Sequence, residues 1–239
     1  MRLRVLIQKE WEEVFKIRLV LFSALFMPLL LAGFATYLVW QGHNLPEEAI
    51  GARMALFNTA LMYFMILPVM IPVTIAVYSI VGEKEQGTLE PLLATPITDW
   101  ELFLGKSLAA VLPALGLTWG VFGLFLIAVW AMLGGIPSGV LSLPWLLSLF
   151  VLAPLLALFG VLVTMIVSSR TSDPRAAYQF SSLALVPALI PLIIYSARQT
   201  AINLFFVYLE GGLLILLDLA IFYLAVRLFQ REEILTRWK

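Results

Sequence analysis

The sequence predicts an all-α membrane protein with six transmembrane helices, and three observations predict it. Hydrophobic residues make up 62% of the 239 and charged residues 13%, with a mean hydropathy of +1.00, which is more apolar surface than a soluble core of this length can hide. The apolar residues also gather into six stretches, each near the roughly 20 residues that a bilayer-spanning helix needs. Finally, lysine and arginine fall almost entirely between alternate stretches, as they do when one side of a membrane retains them.

Residues 1–17 precede the first stretch and read as an amphipathic helix. Leu3, Leu6, Ile7, Trp11, Val14 and Phe15 fall on one face, and Arg4, Gln8, Lys9, Glu12, Glu13 and Lys16 on the other. Such a helix is expected to lie in the membrane interface. The first span, 18 to 40, is too long and too far from Met1 for a cleaved signal peptide, so it is expected to stay in the membrane. The connection QGHNLPEEAIGARMA at 41 to 55 is too short for a folded outer domain, and His43 reads as an exposed turn residue.

The second span, 56 to 81, contains Pro68 and Pro72, and the fifth, 176 to 197, contains Pro187 and Pro191 at the same four-residue spacing. Proline removes a backbone hydrogen bond and bends a helix, which membranes tolerate where neighbours re-satisfy the freed carbonyl. A static kink is the plain reading of each; the matched pairs also hint at a weak inverted repeat. The third span, 107 to 133, and the fourth, 143 to 167, are joined by the short GGIPSGVLS. The sixth, 207 to 226, is interrupted by two acids. Glu210 is expected near the outer boundary, in the wet interface. Asp218 is expected near mid-membrane, hydrogen-bonded inside the bundle, protonated, or in contact with a cation or polar cargo.

Orientation follows from charge. Arg2, Arg4, Lys9, Lys16, Arg18, Lys84, Lys106, Arg170, Arg175, Arg227, Arg231, Arg237 and Lys239 lie at one set of span ends, and Arg53 and Arg198 at the other. Cytoplasmic loops keep such residues, so the N and C termini and the 82–106 loop are expected to be cytoplasmic.

That loop, GEKEQGTLEPLLATPITDWELFLGK, is the densest polar segment in the chain. Thr88 can cap a short helix with Glu90 in its first turn and Leu89, Leu92 and Leu93 on one side, which Pro96 ends. Thr98 and Glu101 then form a capping box with Ile97 and Leu102 as its hydrophobic staple. The loop therefore reads as an ordered two-turn helix held between two spans. A merely solvated loop is the plain alternative.

Several chemistries are excluded or disfavoured. The chain has no cysteine and one histidine, so disulfides, thiol chemistry and multi-histidine metal sites are ruled out within it. Its formal charge of zero gives no footprint for nucleic acid. Gly105-Lys106-Ser107 is not a P-loop, because Trp100 stands where that motif needs glycine; Lys106 reads instead as an interface anchor.

The loop resembles that of the ABC-2 type permease family, which carries E-x-E/K-x-G-T-L-E-x-L-L-x-x-P followed by Gly-Lys at the next helix. The matching residues are Glu83, Glu85, Gly87, Thr88, Leu89, Glu90, Leu92, Leu93, Pro96, Gly105 and Lys106. The resemblance implies a single permease domain over 1–239 with an ABC-2, type V exporter-like architecture. It further implies a coupling helix at 82–106 that rests on a separate P-loop ATPase subunit, with Glu83, Glu85, Gly87, Thr88 and Glu90 at that contact. ATP and Mg would be bound by that partner, and no cofactor by this chain. The resemblance also implies a second permease subunit, identical or different, with Pro68, Pro72, Pro187, Pro191 and Asp218 along the route between the two. The resemblance also implies an outward direction of transport and a re-entrant or external helix over roughly 198 to 209, with Glu210 at its end. An apolar route suits a lipid, glycolipid or amphipathic peptide, while the family exports drugs, polysaccharides, ions and haem-related cargo.

Two other classes compete. A stand-alone secondary transporter or channel would be expected to show more charge within its spans and more repeat symmetry. An intramembrane enzyme needs a nucleophile with its base, paired acids or a metal motif, and no HExxH occurs. Neither has a use for an ordered acidic loop helix.

Overall fold

The computed structural model describes residues 2–14, 16–85, 98–171, 173–197 and 202–228. Within these, α1 (Arg2–Val14) precedes the long helices α2 (Arg18–His43), α3 (Ile50–Glu85) and α4 (Asp99–Leu133). A fourth span follows in three pieces: α5 (Leu143–Leu147), a π-helical turn (Ser148–Leu152) and α6 (Ala153–Arg170). The described chain then continues with α7 (Pro174–Ala197) and α8 (Leu204–Leu228). Six of these segments are long and apolar enough to cross a membrane: Val20–His43, Ile50–Glu83, Trp100–Leu133, Leu143–Arg170, Pro174–Ile194 and Leu204–Ala225. The six-span expectation holds, and the chain is a multi-pass membrane protein.

The axis of the bundle is α3. It packs against α2, α4, α6 and α7, and its buried residues, among them Phe64, Met65, Leu67 and Val73, run around the helix rather than along one stripe. By contrast α2 turns Phe22, Leu25, Phe26 and Leu29 outward, and α7 does the same with Leu183, Val186, Ile190 and Ile193. In water these faces would be a liability; against acyl chains they are the solvent-facing surface. Pro68 and Pro72 lie inside the unbroken α3. Opposite them, α6 brings Gly160, where an added Cβ would meet Val73 Cγ2 at 3.4 Å, the Val69 carbonyl oxygen at 3.6 Å and Leu185 Cδ2 at 3.9 Å. Three helices thus converge on one small residue, as membrane helices do where backbones approach.

At 36 and 35 residues, α3 and α4 are about 54 Å long at 1.5 Å per residue, well beyond a hydrocarbon core of about 30 Å. Both are therefore long enough to project from the lipid, and residues 86–97 connect the end of α3 to the start of α4. The start of α4 is the expected capping box: the Glu101 amide donates to Thr98 Oγ1, and Glu101 Oε2 accepts from the Thr98 amide at 3.0 Å. Leu102 is buried as the staple requires, while its partner Ile97 lies outside the described residues. At its other end α4 stops at Gly134, whose φ of +70° is the left-handed conformation a helix C-terminus favours and glycine adopts without strain.

The π turn has a local cause. Pro154 has no N–H, and the Ala153 N–H bonds back to the carbonyl of Ser148, five residues earlier. The Leu149 carbonyl is thereby denied both of its possible helical donors, and the Trp119 indole N–H of α4 supplies the bond at 3.1 Å.

Two expectations are corrected. Residues 204–209 are the first turns of α8 rather than part of a separate re-entrant or external helix, because Asn203 Oδ1 accepts the Phe206 amide at 2.8 Å and starts the helix there. Glu210 is consequently inside a continuous helix and fully buried, not in a wet interface.

Candidate functional site

The densest polar structure lies where α1 crosses the end of α3 and the start of α4. On α1 the buried positions are Leu6, Glu10 and Val14, spaced by four, so a glutamate occupies the middle of the packing stripe. On α3, Ser79 and Glu83 share a face for the same reason, at the end of the run Val77, Ile80, Val81. From α4 comes Lys106, 4% exposed at its side chain.

Lys106 joins all three helices. Its Nζ donates to Glu10 Oε1 at 2.6 Å and to Ser79 Oγ at 3.0 Å, and it pairs with Glu83 Oε2 at 2.8 Å. The Ser79 hydroxyl in turn donates to Glu10 Oε2. At the rim, Lys9 Nζ sits 3.2 Å from Glu83 Oε1 and 3.6 Å from Glu13 Oε1. Two lysines therefore balance the two buried glutamates. Beside them α1 adds a neutral tie, with the Trp11 indole donating to the Ala109 carbonyl at 2.8 Å, and next to Lys106 on α4 Ser107 Oγ meets Met165 Sδ of α6 at 3.3 Å. A cavity of about 340 Å³ opens next to the cluster, between Glu10, Glu13, Val14, Lys16 and Ile17 on one side and Tyr78, Ser79, Gly82 and Glu83 on the other.

Such a cluster contributes little net stability, since desolvating the four charges offsets most of their attraction. What it provides is geometric. Glu83 is two residues from the end of α3 and Lys106 seven residues past the start of α4, so one ion pair clasps both stems of the loop and Glu10 fastens α1 to the clasp. Two sequence readings change accordingly. Lys106 is buried among carboxylates and is not an interface anchor, and α1 lies against the bundle through Leu6, Glu10 and Val14 while Trp11 stays partly exposed. The four-residue spacing of Leu6, Glu10 and Val14 was the available signal, together with a lysine followed at once by an apolar run.

The remaining candidates are spread out. Glu83 is 4% exposed and committed to Lys106 and Lys9. Glu85 ends α3, while its side chain and Gly87, Thr88 and Glu90 lie outside the described residues, as does the expected two-turn helix. Pro68 and Pro72 are buried in α3, Pro191 is half-buried and Pro187 is exposed on α7, so the four do not share one surface in the single chain. Asp218 is buried in α8. Among the described residues no group of three or more histidines or acids is placed to hold a metal ion.

Comparison with known proteins gives these helices a context. A stretch of 53 residues, 22% of this chain, is 40% identical to the probable multidrug ABC transporter permease YbhR of Escherichia coli K12, and the same holds for its counterpart in Escherichia coli O157:H7. The matched stretch is only 14% of those relatives' length. The family described as ABC-2 family transporter protein matches residues 4–212, from α1 into the last span. With that match over nearly its whole length, the chain belongs to the ABC-2 transporter family, a family of membrane transport components.

Proposed function

We propose that this chain is the permease subunit of an ATP-driven exporter in a bacterial or archaeal inner membrane, with both termini and the 82–106 loop in the cytoplasm. A separate P-loop ATPase binds the loop and supplies ATP and Mg, and two permease subunits together form the route. The observation that carries this reading is the clasp: Lys106 ties both loop stems to each other and to α1. A transporter powered from outside the membrane needs a rigid body at its point of contact, because a loose loop would absorb the displacement. Glu83 holds the clasp from inside; Glu85, Gly87, Thr88 and Glu90 meet the ATPase. Pro68, Pro72, Pro187, Pro191 and Asp218 shape the route once two subunits pair. The apolar bundle and the relatives' multidrug description favour an amphipathic, drug-like cargo.

The test is affinity purification of the tagged chain from native membranes, with partners identified by mass spectrometry, repeated for Glu85→Lys with Glu90→Lys. A P-loop ATPase recovered with the parent and lost with the variant is expected. A clean preparation without any ATPase would instead favour a stand-alone carrier. For the route, alanine at all four prolines is expected to change transport or its ATP dependence; unchanged transport would remove them from it.

A further inference from the structure

The inward stripe of α8 reads Phe206, Glu210, Leu214, Asp218 and Ala225, so two acids stand where core residues belong. Glu210 is 0% and Asp218 5% exposed. Neither carboxyl has a hydrogen-bond partner among the described residues.

Among the described residues the surroundings offer no counter-charge nearby. The last helix packs on α6, the π turn, α5 and α4. Among the described residues, α5 and the π turn carry no ionisable group, α6 carries Arg170, and α4 carries Asp99, Glu101 and Lys106. Gly211 abuts Leu152, an added Cβ there lying 3.4 Å from Leu152 Cδ2. In that register Asp218 stands level with Phe159, and Arg170 lies about 16 Å further along α6 at 1.5 Å per residue. Lys106 is committed to Glu10, Glu83 and Ser79, Glu101 to Thr98, and Asp99 stands at the first residue of α4. On α8 itself Tyr208 and Tyr223 are exposed and so off the stripe, and Arg227 is nine residues from Asp218, about 13 Å along the axis.

An ionised carboxylate held without a partner in an apolar seam is far more costly than a neutral one, and acids placed this way in membrane spans include the proton-carrying groups of pumps and transporters. We propose that the seam between α6 and α8 is a proton-binding site: Glu210 and Asp218 carry protons while it is packed, and release them when it opens to water. The sign follows directly. The packed seam binds more protons than the open one, so low pH favours packing and rising pH favours opening. This assignment goes beyond the transporter reading and does not depend on it, since the seam lies within one chain.

The sequence supplies a clean reporter. It contains no cysteine, and Leu214 lies fully buried between the two acids on the same stripe. Leu214→Cys is placed in the full-length chain in membranes, once with Glu210 and Asp218 present and once with Glu210→Gln and Asp218→Asn. The rate of modification by a charged methanethiosulfonate is measured against pH in both. Ionisation of the thiol itself is common to the two backgrounds, so the ratio of rates reports the carboxyls alone. The ratio is expected to rise about tenfold per pH unit for each proton released on opening; a flat ratio overturns the proposal. Infrared spectra of the chain with its core unaltered provide a second arm. Carboxylic-acid carbonyl bands are expected at neutral pH, one lost in each single variant and both fading as pH rises. Carboxylate bands alone at neutral pH, or acid bands that persist at every pH, also overturn it.

Discussion

Lys106→Met isolates the clasp, because methionine keeps most of the side chain's length and removes only its charge and hydrogen bonds. Glu10 and Glu83, 2% and 4% exposed at their side chains, would lose the ammonium 2.6 Å and 2.8 Å away. Breaking a buried pair in this way costs about 3–5 kcal/mol, chiefly the burden of the stranded charge. At roughly 2–4 °C per kcal/mol for a chain of this size, the midpoint of thermal unfolding should fall by about 10 °C. The assay is scanning calorimetry in lipid nanodiscs at fixed pH, beside a triple variant in which Glu10→Gln and Glu83→Gln accompany the methionine. With no charge stranded, the triple variant should recover most of the loss. If the ATPase drives the permease through this point, the triple variant should remain defective in ATP-dependent transport despite its recovered stability, since neutral amides and methionine no longer lock the three helices together. A midpoint for Lys106→Met within about 2 °C of the parent, roughly 1 kcal/mol, would show that the cluster is not closed as described and would refute the reasoning.

Three further outcomes are expected. Thr98→Ala removes the oxygen that accepts the Glu101 amide and should cost about 1 kcal/mol, seen as faster amide exchange confined to the first turn of α4. Gly160→Leu would drive a branched side chain into Val73, the Val69 backbone and Leu185; overpacking of this kind costs about 1–3 kcal/mol, and the melting midpoint should drop while Gly160→Ala stays near the parent. Trp119→Phe keeps the ring against Phe150 but takes the indole donor from the Leu149 carbonyl, for a loss of about 1–3 kcal/mol, read as a lower midpoint and faster exchange around residues 148–154.

The six spans were legible because 20-residue apolar runs are a strong pattern, and the Thr98–Glu101 box because its signature is local. Contacts between distant segments were harder to read. Glu10 falls on neither the apolar nor the polar face read from the amphipathic pattern, and only the docking of α1 on α3 and α4 turns it inward to Lys106. Glu210 was expected in the wet boundary because an acid near the end of an apolar stretch normally sits there; Asn203 starts α8 far enough upstream to bury it. The π turn was not visible as periodicity, although Pro154 in mid-span marked the place where a backbone donor would be missing.

That turn sets the phase of the fourth span. A π turn holds one residue more than regular winding would, so everything after Leu152 is swung by about 100° about the helix axis relative to an uninterrupted helix. Before the turn, Trp145 faces α3, its indole donating to Asn58 at 3.2 Å; after it, Gly160 also faces α3, against Val69. Both meetings with the same neighbour depend on that single added residue. Removing one residue between 148 and 152 would leave Trp145 docked and carry Gly160 round toward another neighbour. Alignments of relatives across this span should therefore tolerate substitutions within the turn far better than a change in its length.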